Sequence, residues 1–192
     1  MINISDAEWQ QYVKNSDDAG FIRRYSVYEN QQRFMSEIIS SLPEKSVVVE
    51  IGVCGGMTAS FFVQAGKGKI DYYGIDNWSL DLSYSEVSAK LDKLNLPYNL
   101  IQSKSSEVDW KGGTIDFLFI DGGHEESCVR PDCEIWIPRV KKGGYVAFHD
   151  WDGCKDASIT PHWAVTHYGD MHTKGWKEVA RMGNQLMIRQ NI

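Results

Sequence analysis

The sequence predicts an α/β fold, in which helices cover both faces of a mostly parallel, doubly wound sheet. The first observation is a series of short apolar runs that end, or nearly end, in an acidic residue, at 47–51, 70–76, 114–121 and 145–150. The second is that turn residues and amphipathic stretches separate these runs, an alternation typical of parallel strands joined by helices. The third is that the last two runs, 176–180 and 185–188, flank Gly183-Asn184, which predicts an antiparallel hairpin at the C-terminal end.

Composition and charge indicate one globular domain over residues 1–192. The chain is 42% hydrophobic and 12% aromatic, and its net charge is −6 without a run of Lys or Arg. It therefore lacks the basic surface that binds a nucleic-acid backbone. No apolar run approaches the roughly 18 residues of a membrane span, and the N-terminus has no signal-peptide pattern. We expect a cytoplasmic protein that binds neither nucleic acid nor membrane. Its four cysteines form no C-x-x-C pair, so neither a zinc ribbon nor a thioredoxin motif is indicated, and we expect them to be reduced thiols.

Residues 1–45 precede the first strand and are predicted to form a helical extension of the core, which spans 46–190. Asp6 can cap a short helix that carries Trp9 and Tyr12, and apolar residues then recur at 3–4 spacing up to Pro43. Such helices either pack on the edge of the core or cover a substrate as a lid.

The stretch 46–57, Ser-Val-Val-Val-Glu-Ile-Gly-Val-Cys-Gly-Gly-Met, predicts a buried strand, a tight turn and the start of a helix. Glycines in such a turn let backbone N–H groups approach a ligand closely. The dinucleotide fingerprint G-x-G-x-x-G, begun at Gly52, would need glycine where Cys54 and Met57 stand. This disfavours a nicotinamide-dependent oxidoreductase. The cofactor contacts predicted in this stretch are Glu50, Gly52, Cys54, Gly55 and Gly56.

The second strand ends in Asp76, which we predict to bind a ribose. It follows Glu50 by 26 residues, close to the spacing at which an acid reaches ribose hydroxyls in mononucleotide-binding halves. Asn77 and Trp78 come next, and the indole either covers an adenine face or packs. An amphipathic helix is predicted over 80–95, followed by a short third strand at 97–101.

The run from Thr114 to Asp121 predicts a central parallel strand. A helix that ends in the basic turn at Lys141-Lys142 is predicted between it and the next strand. Thr160-Pro161 is a typical start for a later helix.

Ligands of doubly wound sheets collect at the carboxyl ends of the strands. Four acids would meet there together with two histidines: Glu50, Asp76, Asp121, Asp150, His124 and His149. Clustered carboxylates raise one another's pKa unless a cation neutralises them. Oxygen ligands of this kind suit Mg²⁺, Mn²⁺ or Ca²⁺.

The strand and glycine-rich turn predicted over 46–57 resemble motif I of the class I S-adenosylmethionine (SAM) methyltransferases, with Glu50, Gly52 and Gly56 in register. Five β/α repeats and a hairpin are also similar to the Rossmann-like, seven-stranded sheet of that family, over about residues 43–190. The resemblance implies SAM as the cofactor. It places Ser103 and Ser105, in the loop after the third strand, beside the adenine, although Lys104 stands there where an acid is frequent.

A second group of residues resembles the signature of small-molecule O-methyltransferases that include metal-dependent sugar and macrolide methyltransferases: Asp121-Gly-Gly-His124, Asp132, Trp136 and His149-Asp150-Trp151. The resemblance implies that Asp121 and Asp150 bind a divalent metal such as Mg²⁺, that Asp121 also adjoins the cofactor, and that His124 is the catalytic base. Those relatives have glutamate in place of His149. Either His149 is also a ligand, which favours a softer metal, or the metal site is weak or absent.

These resemblances imply a SAM-dependent methyltransferase that acts on a hydroxyl of a small molecule, a sugar or phenolic metabolite, with metal assistance. The sulfonium methyl is already activated, so the enzyme must mainly align a nucleophile and remove its proton. A SAM-binding module without catalysis is the alternative, but it would need neither Asp121 nor His124. A homo-oligomer is compatible with the sequence.

Overall fold

The computed structural model describes residues 4–22, 27–79, 83–151, 163–183 and 185–192. Its α-helices are α1 (Asp6–Ala19), α2 (Glu29–Ser40), α3 (Met57–Gly66), α4 (Tyr84–Asp92), α5 (Glu126–Trp136) and α6 (Trp163–His172). Its strands are β1 (Val47–Ile51), β2 (Asp71–Asp76), β3 (Asn99–Gln102), β4 (Ile115–Ile120), β5 (Val140–His149), β6 (Lys177–Met182) and β7 (Leu186–Gln190). Three predicted features lie partly or wholly outside the described residues. They are the helix start at Thr160-Pro161, residues 80–82 of the helix predicted over 80–95, and Asn184 of the hairpin.

The strands form one seven-stranded sheet in the order β3-β2-β1-β4-β5-β7-β6. β1 to β5 are parallel, and β7 pairs antiparallel with both β5 and β6. This confirms the predicted doubly wound α/β sheet with a C-terminal hairpin. The chain direction across the sheet reverses between β1 and β4, and such a switch point opens a crevice at the carboxyl ends of the strands.

The core lies on both faces of the sheet. All six residues of β4 are buried, which explains why this strand is an almost unbroken apolar run. On one face, the ring of Phe62 in α3 meets Phe117 and Phe119 edge-on, with centroids 5.8 Å apart in both pairs. The other face buries Trp136 and Trp151. No helix in the described part of the chain is long and apolar enough to cross a bilayer.

The N-terminal helices pack on α3. The Trp9 and Phe61 rings stack with centroids 4.6 Å apart, and a buried hydrogen bond of 2.8 Å joins the hydroxyls of Ser16 and Ser60. The N-cap of α1 is Ser5, whose Oγ accepts a hydrogen bond from a backbone N–H in the first turn, so the prediction of Asp6 as the cap is wrong by one residue. Position 5 already has the extended backbone that a cap requires.

The prediction that Lys141 and Lys142 form the last turn of a helix is wrong. α5 ends at Trp136, and Pro138, which lacks a backbone N–H, lies in a 3₁₀ turn. The two lysines belong to β5, which starts at Val140. A Cβ at Gly144 would lie 3.0 Å from the carbonyl oxygens of Ile115 and Asp116, so the glycine permits this close pairing.

Asp116 joins three elements at the amino end of the sheet, and its replacement should destabilise the fold. Its buried carboxylate accepts a 2.9 Å hydrogen bond from the Val47 backbone N–H and pairs with the Lys141 ammonium. Asp116→Ala leaves a backbone donor without its acceptor, so the free energy of unfolding in urea should fall by about 1–3 kcal/mol. Asp109→Ala, which removes an 83% exposed partner of Lys111, should change it by less than about 0.5 kcal/mol. Equal losses would contradict this role for Asp116.

Candidate active site

A cavity of about 730 Å³ lies at the carboxyl ends of the parallel strands. This volume is in the range of small-molecule and cofactor sites. Most of the predicted site residues lie on its wall: Glu50, Gly52, Cys54, Asp76, Asn77, Ser103, Ser105, Asp121, His124, His149 and Asp150. The N-terminal extension also reaches the cavity through Val27.

Three predicted cofactor contacts, Gly55, Gly56 and Trp78, are not part of the wall that the described residues form. Gly56 is the N-cap of α3 at φ 78°, and a Cβ there would lie 2.7 Å from a methyl group of Val87. The indole N–H of Trp78 donates to the Cys54 carbonyl at 3.2 Å, and its ring packs edge-on against Tyr84. The structure thus gives Gly56 and Trp78 packing contacts.

Asp76 connects the turn after β1 with the end of β2. Oδ2 accepts a hydrogen bond from the Cys54 backbone N–H at 2.8 Å, and Oδ1 accepts one from the Trp78 backbone N–H at 2.6 Å. Cys54 itself has a left-handed backbone, with φ 49°, which aims its N–H at the carboxylate. Because a carboxylate oxygen can accept more than one hydrogen bond, Asp76 can still bind hydroxyls of a ligand.

Glu50 is 1% exposed, and its Oε2 accepts a 2.6 Å hydrogen bond from the Tyr72 hydroxyl. Burial raises the pKa of Glu50 well above its usual value, and the charges of Asp121 and Asp76 add to this, although the Tyr72 hydrogen bond opposes it. Glu50 is therefore protonated more readily than an exposed glutamate.

Two acids and two histidines form a cluster at the ends of β4 and β5. Nε2 of His124 lies 2.9 Å from Oδ2 of Asp150. Nδ1 of His149 lies 3.1 Å from that same Asp150 oxygen and 3.1 Å from Oδ1 of Asp121. Asp150 has a left-handed backbone, with φ 52°, and its side chain lies between the two imidazoles. All four side chains are partly exposed toward the cavity.

The cluster balances its own charges in part. Burial lowers the pKa of His149, but its hydrogen bonds to Asp121 and Asp150 outweigh burial and raise this pKa to about 10. Burial raises the pKa of Asp150, but hydrogen bonds from His124 and His149 hold it well below its usual value. For Asp121, burial dominates and raises the pKa. His149 is thus an imidazolium beside two carboxylates at neutral pH.

The donor set in this cluster fits a divalent cation. Asp121, His124 and Asp150 each offer one ligand atom, and these atoms lie within 4.8 Å of one another. The two carboxylate oxygens suit Mg²⁺ or Mn²⁺, whereas the imidazole nitrogen favours a softer ion such as Fe²⁺ or Zn²⁺, and water or substrate would complete the coordination. This set contains His124 where we predicted His149, whose Nδ1 instead faces both carboxylates.

Asp132 in α5 also lies on the cavity wall, although we assigned it no role from the sequence. It is 3% exposed, and its Oδ1 accepts a hydrogen bond from the Ser105 hydroxyl. Burial raises its pKa to about 6, although the Ser105 hydrogen bond opposes this. The sequence carries a signal for it: an acid stands among Val129, Cys133 and Trp136, the buried face of the helix.

The raised pKa of Asp132 predicts a pH-dependent cost to stability. The folded state holds this proton up to about pH 6, whereas the unfolded chain releases it near 3.8. The free energy of unfolding contributed by Asp132 therefore falls as pH rises from about 4 to 6. Asp132→Asn removes this effect, so its stability relative to the natural chain should rise by about 2–3 kcal/mol across that window in urea titrations. Glu134→Gln, an exposed acid on the same helix, should show no such trend, and a flat difference for Asp132→Asn would contradict the expectation.

Residues 49–151 match the family model described as a methyltransferase domain. The match covers more than half of the 192 residues and includes the strand ends from β1 to β5. The chain belongs to this methyltransferase family. Two curated proteins are similar to this chain, and both are uncharacterized. Protein y4gI of Sinorhizobium fredii is 28% identical over 116 residues, and protein R132 of Acanthamoeba polyphaga mimivirus is 30% identical over 112. Each alignment covers 54% of this chain, which spans only 13% and 50% of the lengths of those relatives.

Solved structures share the fold of this chain at low sequence identity. Cofactor-bound Rv0187 from MTB superposes with a TM-score of 0.70 at 14% identity, covering 97% of this chain and 90% of that one. The O-methyltransferase from Bacillus cereus in complex with SAH superposes with a TM-score of 0.66 at 13% identity, covering 97% and 91%. These likenesses extend over the N-terminal helices as well as the sheet.

Proposed function

We propose that this methyltransferase transfers the methyl group of SAM to a hydroxyl of a small molecule, such as a sugar or a phenolic metabolite. The observation that carries the proposal is that one cavity is lined both by Asp76, at the end of β2, and by the cluster of Asp121, His124 and Asp150. SAM as donor is supported by the family and by a neighbour of the same fold that holds SAH. The net charge of −6 favours a small acceptor over a nucleic acid.

The strand order supports an orientation of SAM in which the ribose lies at the end of β2 and the methyl group points toward β4 and β5. Asp76 ends β2, on one side of β1, whereas Asp121 and Asp150 follow β4 and β5, on the other side. A ribose on Asp76 and a methionyl group over the turn at Gly52 direct the sulfonium methyl toward the β4–β5 side. The acceptor hydroxyl then enters beside His124.

The transfer forms a bond between the acceptor oxygen and the methyl carbon as the carbon–sulfur bond breaks. His124 takes the hydroxyl proton, and the Asp150 oxygen 2.9 Å from its Nε2 orients the ring and stabilises the imidazolium. In the alternative arrangement, a divalent ion held by Asp121, His124 and Asp150 would lower the pKa of a bound hydroxyl, and His124 would then be a ligand and not the base. His149 supplies positive charge beside both carboxylates.

Labelled transfer tests the proposal. The purified chain is incubated with SAM labelled in its methyl group and with catechols, flavonoids and sugars, in EDTA or in Mg²⁺. We expect an alkali-stable methyl ether from at least one acceptor. Activity that persists in EDTA would assign His124 as the base, whereas activity that depends on Mg²⁺ would make it a ligand. Cofactor binding with transfer to none of the hydroxyl compounds, or to amines alone, would contradict O-methylation and would favour the binding module in the first case.

A further inference from the structure

The buried Asp132 carboxylate lines the cavity, and it has one hydrogen-bond partner among the described residues. Oδ1 accepts a hydrogen bond from the Ser105 hydroxyl, and this is the one hydrogen bond that the carboxylate makes among the described residues. Oδ2 lies beside Gly122, 3.3 Å from the position that a Cβ would occupy there, and Gly122 and Ser105 both line the cavity. Asp132 also has no ion-pair partner within the described part of the chain, and no cation is among the groups that shift its pKa. A buried carboxylate with a single hydrogen bond is costly to the fold, and a ligand that donates a hydrogen bond to Oδ2 would reduce this cost.

The position of Asp132 indicates that it would contact the base of a bound SAM molecule. Ser105 belongs to the loop after β3, the strand farthest from β4 and β5 on the β2 side of the sheet. If the ribose binds Asp76 at the end of β2 and the methyl group faces His124, the base lies beyond the ribose, toward β3. Asp132 reaches that region from α5, above the loop, through its contact with Ser105.

The chemistry of the two groups is complementary. The exocyclic amino group of adenine donates hydrogen bonds, and a carboxylate oxygen only accepts them. Hypoxanthine has an oxygen at that position, which would face the carboxylate oxygen with no proton between them. A binding site with a buried hydrogen-bond acceptor disfavours an analogue that lacks the matching donor, because the acceptor is then left unpaired.

We propose that Asp132 binds the amino group of the adenine through Oδ2 and makes the site selective for adenine over hypoxanthine. Ser105 is the positioning residue, because its hydroxyl fixes the other carboxylate oxygen. This inference rests on the proposed function, since it takes SAM as the ligand.

Calorimetric titration with S-adenosylhomocysteine and S-inosylhomocysteine tests the assignment without an acceptor. We expect the natural chain to bind the adenosyl compound at least about tenfold more tightly. Asp132→Asn should reduce that ratio about tenfold or more, because its amide can donate to the 6-oxo group. Ser105→Ala should reduce it several-fold and serves as the second variant if the first does not fold. Glu134→Gln on the exposed side of α5 is the matched control.

Three results would overturn the assignment. Equal weakening of both ligands in Asp132→Asn would give Asp132 a purely structural role, and an unchanged ratio in both variants would remove it from the base site. Both leave SAM binding, and so the proposed function, intact. Failure of the natural chain to bind S-adenosylhomocysteine would instead overturn the proposed function, and this inference with it.

Discussion

His124→Ala should lower kcat for methyl transfer about 10²–10⁴-fold while SAH affinity changes less than about twofold. The imidazole lies against Asp150 in the β4–β5 cluster, where it meets the acceptor, whereas the ribose contact is assigned to Asp76 at the end of β2. Loss of the base therefore slows proton removal without removing a cofactor contact. Initial rates with labelled SAM and calorimetry with SAH, on the same protein batches, measure the two quantities.

His167→Ala is the matched control for His124, because its imidazole is exposed on α6 and contacts only Trp163 and Tyr168 among the ring pairs of the described residues. It should leave both rate and affinity unchanged. A His124→Ala variant that loses rate and SAH affinity in parallel would remove the assignment of His124 as the base and make it part of the cofactor site.

Gly52→Ala should destabilise the protein by about 3–5 kcal/mol and remove most SAH binding. Gly52 has φ +90°, and a Cβ there would lie 2.1 Å from the carbonyl oxygen of Asp121. The turn after β1 and the end of β4 can therefore adjoin at the switch point only if this position has no side chain. Urea unfolding and calorimetric titration with SAH measure the two effects.

Gly175→Ala separates the clash from the backbone strain. Gly175 has a similar φ of +85°, but no atom lies within 4 Å of a Cβ added there. Only the left-handed conformation is penalised, so the free energy of unfolding should fall by about 1–2 kcal/mol with SAH affinity intact. Similar losses in both variants would show that contact with Asp121 is not what requires glycine at position 52.

The fold was predictable because its signals are local. β4 is buried on both faces and is apolar at every position except Asp116, and the terminal hairpin follows from two apolar runs around a glycine. The end of α5 was missed because two lysines and two glycines also form a typical helix end. Pro138 ends the helix before the lysines, and the close approach of Gly144 to β4 places them in β5. The approach of Gly144 is a tertiary contact, which the local sequence does not reveal.

The candidate site was predictable where it depends on strand ends and not where it depends on side-chain direction. Asp76, Asp121 and Asp150 reach one cavity because parallel strands end at one edge. The positive φ of Trp78, 46°, accompanies an indole that bonds the Cys54 carbonyl and lies off the wall, which the residue type does not reveal. Asp132 meets Ser105 across 27 positions of sequence, a contact made only by the folded chain.

Calorimetric titration of the purified chain with SAM, SAH and NAD, each with and without Mg²⁺ and repeated on Asp76→Ala, tests most directly whether the cavity at the strand ends binds SAM through Asp76. Asp71→Ala is the control, because Asp71 is exposed at the opposite end of β2. We expect SAM and SAH to bind one per chain and NAD to give no heat of binding, and we expect Asp76→Ala, but not Asp71→Ala, to weaken the binding of SAM and SAH at least about tenfold. Binding of NAD, or SAH binding that is unchanged in Asp76→Ala, would contradict this expectation.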